Sequence, residues 1–286
     1  MKVYAPPRAV IAEATESFRI GQIVDLGEGK ALSFGQLIDR LASRDLIFIG
    51  EVHDNDEHHL IQIQILQALA ARWGTLALGM EFFEKPKQES LDRYLRGEIE
   101  EEAFLKEVDW NHSWGYSYHF YRPLLLFARQ NGLRVLALNA PREIVRKVAR
   151  NGLAGLEAVE RLQIADEIDL DNRAHRDYLL EIYEQHDQGT LKAFNDFYDA
   201  QCVWEDTMAQ NVAGHFKGKP AKMIVFSGNG HIVQKYGIPD RTARRVPAMM
   251  ATLMPLPLVS RQTIDRAAAD YVWLTRPSPR GHGGSH

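Results

Sequence analysis

Cys202 is the single cysteine of the chain, so no disulfide forms within it and no cysteine cage holds zinc or an iron–sulfur cluster. Among Phe197, Val203 and Trp204 it reads as a small buried hydrophobe rather than a nucleophile. No apolar run approaches the ~20 residues of a membrane span. The opening Met1-Lys2-Val3-Tyr4-Ala5-Pro6-Pro7 has neither an apolar signal core nor a lipid-accepting cysteine. A cytoplasmic protein is expected, with a periplasmic or membrane-associated one the alternative if an export signal has been trimmed. Positive charge is spread along the chain and not in excess. The formal net charge is −4, and Arg241, Arg244 and Arg245 form the only tight basic group, which reads as a solvated loop. Nothing therefore points to nucleic acid as a partner. A phosphate loop, a G-x-G-x-x-G turn after a strand, a G-x-S-x-G elbow and His-Glu-x-x-His are all missing.

What is present is an ordinary globular composition. Hydrophobic residues make up 45% and charged residues 25% of 286, enough for one large α/β domain. Residues 1–16 read as a flexible leader and 277–286 as a disordered tail. Between them, 17–276 reads as a single α/β domain with helical insertions at about 86–131 and 141–216. Phe18 to Phe34 predicts a hairpin turning at Gly27-Glu28-Gly29-Lys30. Ser33 then caps a helix from Phe34 to Ala42. Apolar runs at 46–50, 75–80, 134–138 and 222–227 predict buried strands, with helices between them. Further runs at 247–254 and 271–275 follow, and a break at Gln188-Gly189-Thr190 divides a long helical stretch from about 156 to 216. Strands alternating with helices predict a mainly parallel sheet flanked by helices, with a helical subdomain.

Two phrases match each other. Leu46-Ile47-Phe48-Ile49 runs into Gly50-Glu51-Val52-His53, and Met223-Ile224-Val225-Phe226-Ser227 runs into Gly228-Asn229-Gly230-His231. A third run, Leu76-Ala77-Leu78-Gly79-Met80, ends on Glu81. Ligands of open α/β sheets bind outside the carboxyl ends of the strands, so His53, Glu81 and His231 should converge there. Neutral imidazole is both a metal ligand and a base poised near neutrality. These three could hold a divalent metal ion, or with Glu51 act as an acid/base set. Glu51 could also orient His53. In a helix starting near Asp56, His58 falls close enough to join them and His59 points elsewhere. Asn139 is expected near the rim.

The segment from Trp110 to Pro123 is the aromatic centre of the chain. It could be plain core, or a platform for a flat, apolar, anionic ligand. Arg122 would then face a carboxylate, and a tyrosinate or histidine would ligate iron. Trp114, Tyr116, Tyr118, Arg122 and His112 are the candidate cofactor-binding residues, with Tyr118 or Tyr116 the candidate axial ligand and nothing in the pattern to choose between them.

Gly50-Glu51-Val52-His53, Gly79-Met80-Glu81-Phe82-Phe83, Trp114-Gly115-Tyr116 to Tyr121-Arg122-Pro123, Leu138-Asn139-Ala140-Pro141-Arg142 and Gly228-Asn229-Gly230-His231 occur in that order. The series, spanning about residues 17 to 275, resembles the ChaN-like haem-binding family. Its superfamily also holds the Tiki metalloproteases and, more distantly, erythromycin esterases. The resemblance implies haem binding, a homodimer enclosing haem, and a role in haem or iron handling. From the Tiki side it implies a divalent metal on His53, Glu81 and His231 for hydrolysis. From the esterase side it implies an acid/base set activating water. Exported members are lipoproteins, a feature this chain does not show.

Overall fold

A computed structural model describes residues 7–13, 15–186, 191–217 and 221–278. Its strands are β1 (Ala9–Ile11), β2 (Ser17–Phe18), β3 (Ile23–Asp25), β4 (Lys30–Leu32), β5 (Leu46–Ile49), β6 (Ala77–Glu84), β7 (Arg134–Asn139), β8 (Met223–Phe226), β9 (Met250–Pro257), β10 (Gln262–Ile264) and β11 (Tyr271–Thr275). The helices are α1 (Phe34–Ala42), α2 (Asp56–Trp73), α3 (Gln88–Leu95), α4 (Glu101–Glu107), α5 (Trp110–Ser113), α6 (Arg122–Gln130), α7 (Arg142–Asn151), α8 (Ala158–Arg161), α9 (Arg173–His186), α10 (Leu191–Phe216) and α11 (Ile238–Ala243).

The main sheet has eight strands in the order β4-β3-β11-β9-β5-β8-β6-β7. From β11 to β7 every pairing is parallel, and the β3–β4 hairpin adds antiparallel to that edge. Successive residues of the central strands feed opposite cores, as a two-residue period demands. Ile47, Ile49, Leu78, Met80, Ile224 and Phe226 pack with α1, α2 and the helices of 88–130. Leu46, Phe48, Ala77, Met223 and Val225 pack on the other face against residues of α10 and α11. Both faces are covered, which is why these strands read as unbroken apolar runs.

Local chemistry explains the helix starts. Ser33 Oγ accepts from Gln36 N–H at 3.2 Å while the Gln36 side chain returns to Ser33 N–H, a full capping box. Asn55 accepts from Glu57 and His58 N–H at the start of α2.

Four expectations need correction. Ala9–Ile11, placed in a leader, forms β1, which pairs parallel with β10 and antiparallel with β2 in a separate three-stranded sheet. The second strand runs through Glu84, because a register shift against β7 between Met80 and Glu84 carries it past Glu81. Residues 162–172 are not helical, so the long stretch is three helices rather than one broken once. Arg241 is fully buried in α11 rather than solvated. The break at 188–190 and the tail from 279 lie outside the described residues. No helix among the described residues is long and apolar enough to cross a membrane.

Candidate functional site

β8 lies between β5 and β6, so the ends of three neighbouring parallel strands deliver the site. From β5 come Glu51 and His53, from β6 Glu81, and from the turn after β8 Gly228 and His231. Glu81 accepts from Gly228 N–H at 2.7 Å and lies 3.2 Å from His231 Nε2. The close approach explains Gly228. A Cβ there would stand 2.9 Å from His53 Cε1 and 3.8 Å from Glu81 Oε2. His53, Glu81 and His231 thus meet at one sheet edge, as the strand-end argument requires.

The two histidines are held differently. His53 Nδ1–H donates to Glu51 Oε1 at 2.8 Å, leaving Nε2 beside Gly228. A quarter of the His53 side chain is exposed, whereas the Glu51 carboxylate is sealed. Tyr121 O–H also donates to Glu51 Oε1, at 2.9 Å, and Gln62 Nε2 to Oε2 at 2.7 Å. Burial works against charge on His53, but the Glu51 hydrogen bond and the Glu51 and Glu81 charges outweigh it and raise its pKa.

His231 has both ring nitrogens against carboxylates. Nε2 faces Glu81, and Nδ1 lies 3.2 Å from Glu205 Oε1. Burial opposes protonation, yet the Glu81 charge and the Glu205 hydrogen bond push its pKa up to about 10. It stands at neutral pH as an imidazolium between two buried carboxylates. In turn His231 outweighs the burial that would protonate Glu81, holding that carboxyl below its ordinary range.

This bonding bears on the expected metal site. His231 directs Nε2 at Glu81 and Nδ1 at Glu205. Among the described residues no group of three His, Cys, Asp or Glu side chains is disposed to hold a metal ion. A divalent metal on His53, Glu81 and His231 is therefore not supported.

Among the remaining candidates, His58 and His59 exchange the roles the sequence predicts. His58 is buried, accepting from Val52 N–H and donating to Thr275 Oγ1 at 2.9 Å, and burial drives its pKa down to about 3. It ties α2 to β11 as a neutral ring. His59 lies against the site, its Nε2 donating to the His53 carbonyl at 3.0 Å and its Nδ1 3.6 Å from Glu51. The helix starts where expected, and the packing of Ile61, Ile65, Leu66 and Leu69 into the core sets the rotation that brings His59 to Glu51. Asn139 lies at the rim as expected, its amide donating to the Glu81 carbonyl at 2.9 Å.

The aromatic segment divides in two. The rings of Trp114 and Tyr116 lie 4.9 and 4.8 Å from that of His53. Tyr118 turns away, packing on Trp110 and reaching Glu101 at 3.5 Å. Arg122 forks onto the same Glu101 at 2.8 and 2.9 Å, so the carboxylate it holds is the chain's own. His112 is exposed and bonded to Asp109. Tyr121, which sequence reasoning passed over, is the tyrosine that reaches the acid/base pair. Its position at the N-cap of α6, before Arg122-Pro123, was the available signal.

A second polar layer lies behind His231. Glu205 and Arg241 are fully buried, with Arg241 Nε 3.3 Å from Glu205 Oε2. Arg241 also binds Asp206, and its Nη2 donates to Cys202 Sγ at 3.1 Å. Burial pushes the Cys202 thiol up to about 12, so it stays protonated, as its reading as a buried hydrophobe requires.

The fold is an α/β sheet flanked by helices, with the polar cluster at the strand ends of one edge. Residues 37–242 match the family described as "Haem-binding uptake, Tiki superfamily, ChaN", and the chain belongs to that family. A solved structure of cofacial haem binding to ChaN of Campylobacter jejuni has the same fold, with a TM-score of 0.70 and 18% identity over 88% of this chain and 95% of that one. A mutant of the erythromycin esterase EreC in its open conformation follows at a TM-score of 0.50 and 13% identity, covering 82% of this chain and 76% of its own. The protein RETICULATA-RELATED 5, chloroplastic, of Arabidopsis thaliana is 23% identical over 296 residues. That match takes in 95% of this chain but only 39% of the plant protein's length.

Proposed function

We propose that this protein binds haem on the open side of the strand-end site and serves haem or iron handling, with Tyr116 as the iron donor. The observation that carries the reading is the wall of Trp114 and Tyr116 set edge-on and tilted against the partly exposed His53 ring. The donor chemistry fits the group. Asn139 Oδ1 and Ser227 Oγ are buried without a hydrogen-bond partner among the described residues. Phenolate oxygen is an established axial donor to haem iron. Haem supplies a flat apolar face, which the half-buried Trp114 and Tyr116 rings can meet, with Phe82 buried behind Trp114. Family membership and the likeness to ChaN support the same reading. A homodimer enclosing haem belongs to it.

Haemin titrated into the apo-protein should give a saturable, shifted Soret band at stoichiometric haem, with sedimentation reporting whether the subunit pairs. A titration indistinguishable from that of a non-binding control overturns the proposal.

One observation favours a second reading, hydrolysis by acid/base chemistry without a metal. Glu51 fixes His53 Nδ1 as the donor, so Nε2 is the basic nitrogen and faces the same space as Glu81. That arrangement can take a proton from water. An ester and peptide panel comparing wild type with His53→Ala tests it. Turnover abolished in the variant supports it, and turnover equal in both removes it.

A further inference from the structure

The strand-end site is backed by a carboxylate that no strand supplies. Glu205 lies in the middle of α10 and is fully buried. Its Oε1 lies 3.2 Å from His231 Nδ1 and accepts from Gln201 Nε2, one turn earlier, at 2.8 Å. Its Oε2 faces Arg241 Nε of α11 at 3.3 Å and His175 Nε2 of α9 at 3.5 Å. Three helices therefore converge on one side chain, which meets the sheet edge at His231. The packing leaves no slack. A Cβ on Gly237 would fall 2.8 Å from Glu205 Oε1 and 2.3 Å from the His231 carbonyl.

Burying such a cluster is costly. Each ion taken out of water costs several kcal/mol, and well-packed apolar side chains would hold three helices together at least as well. The expense is accounted for if the cluster fixes something outside itself. We infer that Glu205 is a positioning residue, clamping His231 from the helical side so that His231 in turn holds the Glu81 carboxylate toward His53. Arg241 fixes Glu205 from behind, and Gln201 fixes it from within α10. The groups facing His231 are then Glu81 from β6, Glu205 and Gln201 from α10, and the Trp204 ring at 5.6 Å, with His53 beyond Glu81.

The inference rests on the strand-end cluster being the working site, but its test uses apo-protein and is independent of haem. In wild type labelled with 15N-histidine, both His231 ring nitrogens should be protonated at pH 8. An Nδ1 that carries no proton there, and so cannot donate to Glu205, overturns the clamp without any variant. Glu205→Gln keeps the shape and removes the charge. It should bring the His231 titration down by more than one pH unit and shift the His53 midpoint in the opposite direction, since the His231 charge is one of the influences that lower it. Glu205→Asp keeps the charge beside Arg241 but shortens the reach, and serves if Glu205→Gln does not fold. It should likewise lower the His231 midpoint. A folded variant in which either histidine titrates as in wild type assigns Glu205 to holding the helices alone, and overturns the inference. If these results appear while haemin fails to bind, the clamp stands and only the haem reading falls.

Discussion

His231 Nε2 and Glu81 Oε1 stand 3.2 Å apart across the boundary between β8 and β6, both side chains almost wholly buried. A charged pair in that setting makes stability depend on pH, and the direction follows from the sign of each shift.

The His231 pKa rises to about 10 from an ordinary 6.5. Its contribution to stability is full below 6.5 and is lost as pH climbs through 10. Glu81 and Glu205 are shifted down, so their contribution is present above the ordinary 4.5 and is lost as acid takes pH through their lowered values. Thermal melts should therefore show a plateau near pH 5–6 and a fall of several degrees between pH 7 and 10, where about 1 kcal/mol corresponds to 2–4 °C. His231→Gln should be less stable at pH 6 and should flatten the alkaline slope. An unchanged slope in that variant would assign the alkaline loss to other groups.

Gly228→Ala places a methyl 2.9 Å from His53 Cε1. Since His53 is partly exposed, its ring can swing aside, and the fold should lose about 1 kcal/mol or less. Haemin affinity should drop about tenfold, the equivalent of 1.4 kcal/mol, because the ring no longer stands against Tyr116. Equal affinity in wild type and variant would show that the His53 orientation is not used.

Tyr116→Phe and Tyr118→Phe separate the two tyrosines that the sequence could not. The first should remove the phenolate charge-transfer bands of the ferric complex and weaken haemin at least tenfold. The second should leave the spectrum unchanged, because Tyr118 is turned toward Glu101. The reverse pattern would move the donor to Tyr118.

Arg241→Met fills the same space but leaves Glu205 and Asp206 without their buried cation. Removing one partner of such a cluster costs about 3–5 kcal/mol. Denaturant melts should show a loss of that order, with a partial recovery in Arg241→Met combined with Asp206→Leu. A single variant as stable as wild type would mean that water reaches the cluster.

The sequence alone was sufficient for the parallel sheet, the hairpin, the cap at Ser33 and the meeting of His53, Glu81 and His231. All of these rest on short-range chemistry: apolar runs buried on both faces, turn glycines, and the rule that parallel strands end on one side. It could not tell His58 from His59, since the two lie 100° apart on one helix and only the packing of α2 on the sheet decides which of them meets Glu51. It could not choose between Tyr116 and Tyr118 either, because an irregular loop has no period to read. Glu205, His175 and Arg241 were hidden for a further reason. Charged residues along a helix read as its solvated face, and only the packing of α9, α10 and α11 against the strand ends turns that face inward, where each charge finds its partner. The edge where chemistry gathers was written in the strands, and the charges that hold it were decided by how the helices close over it.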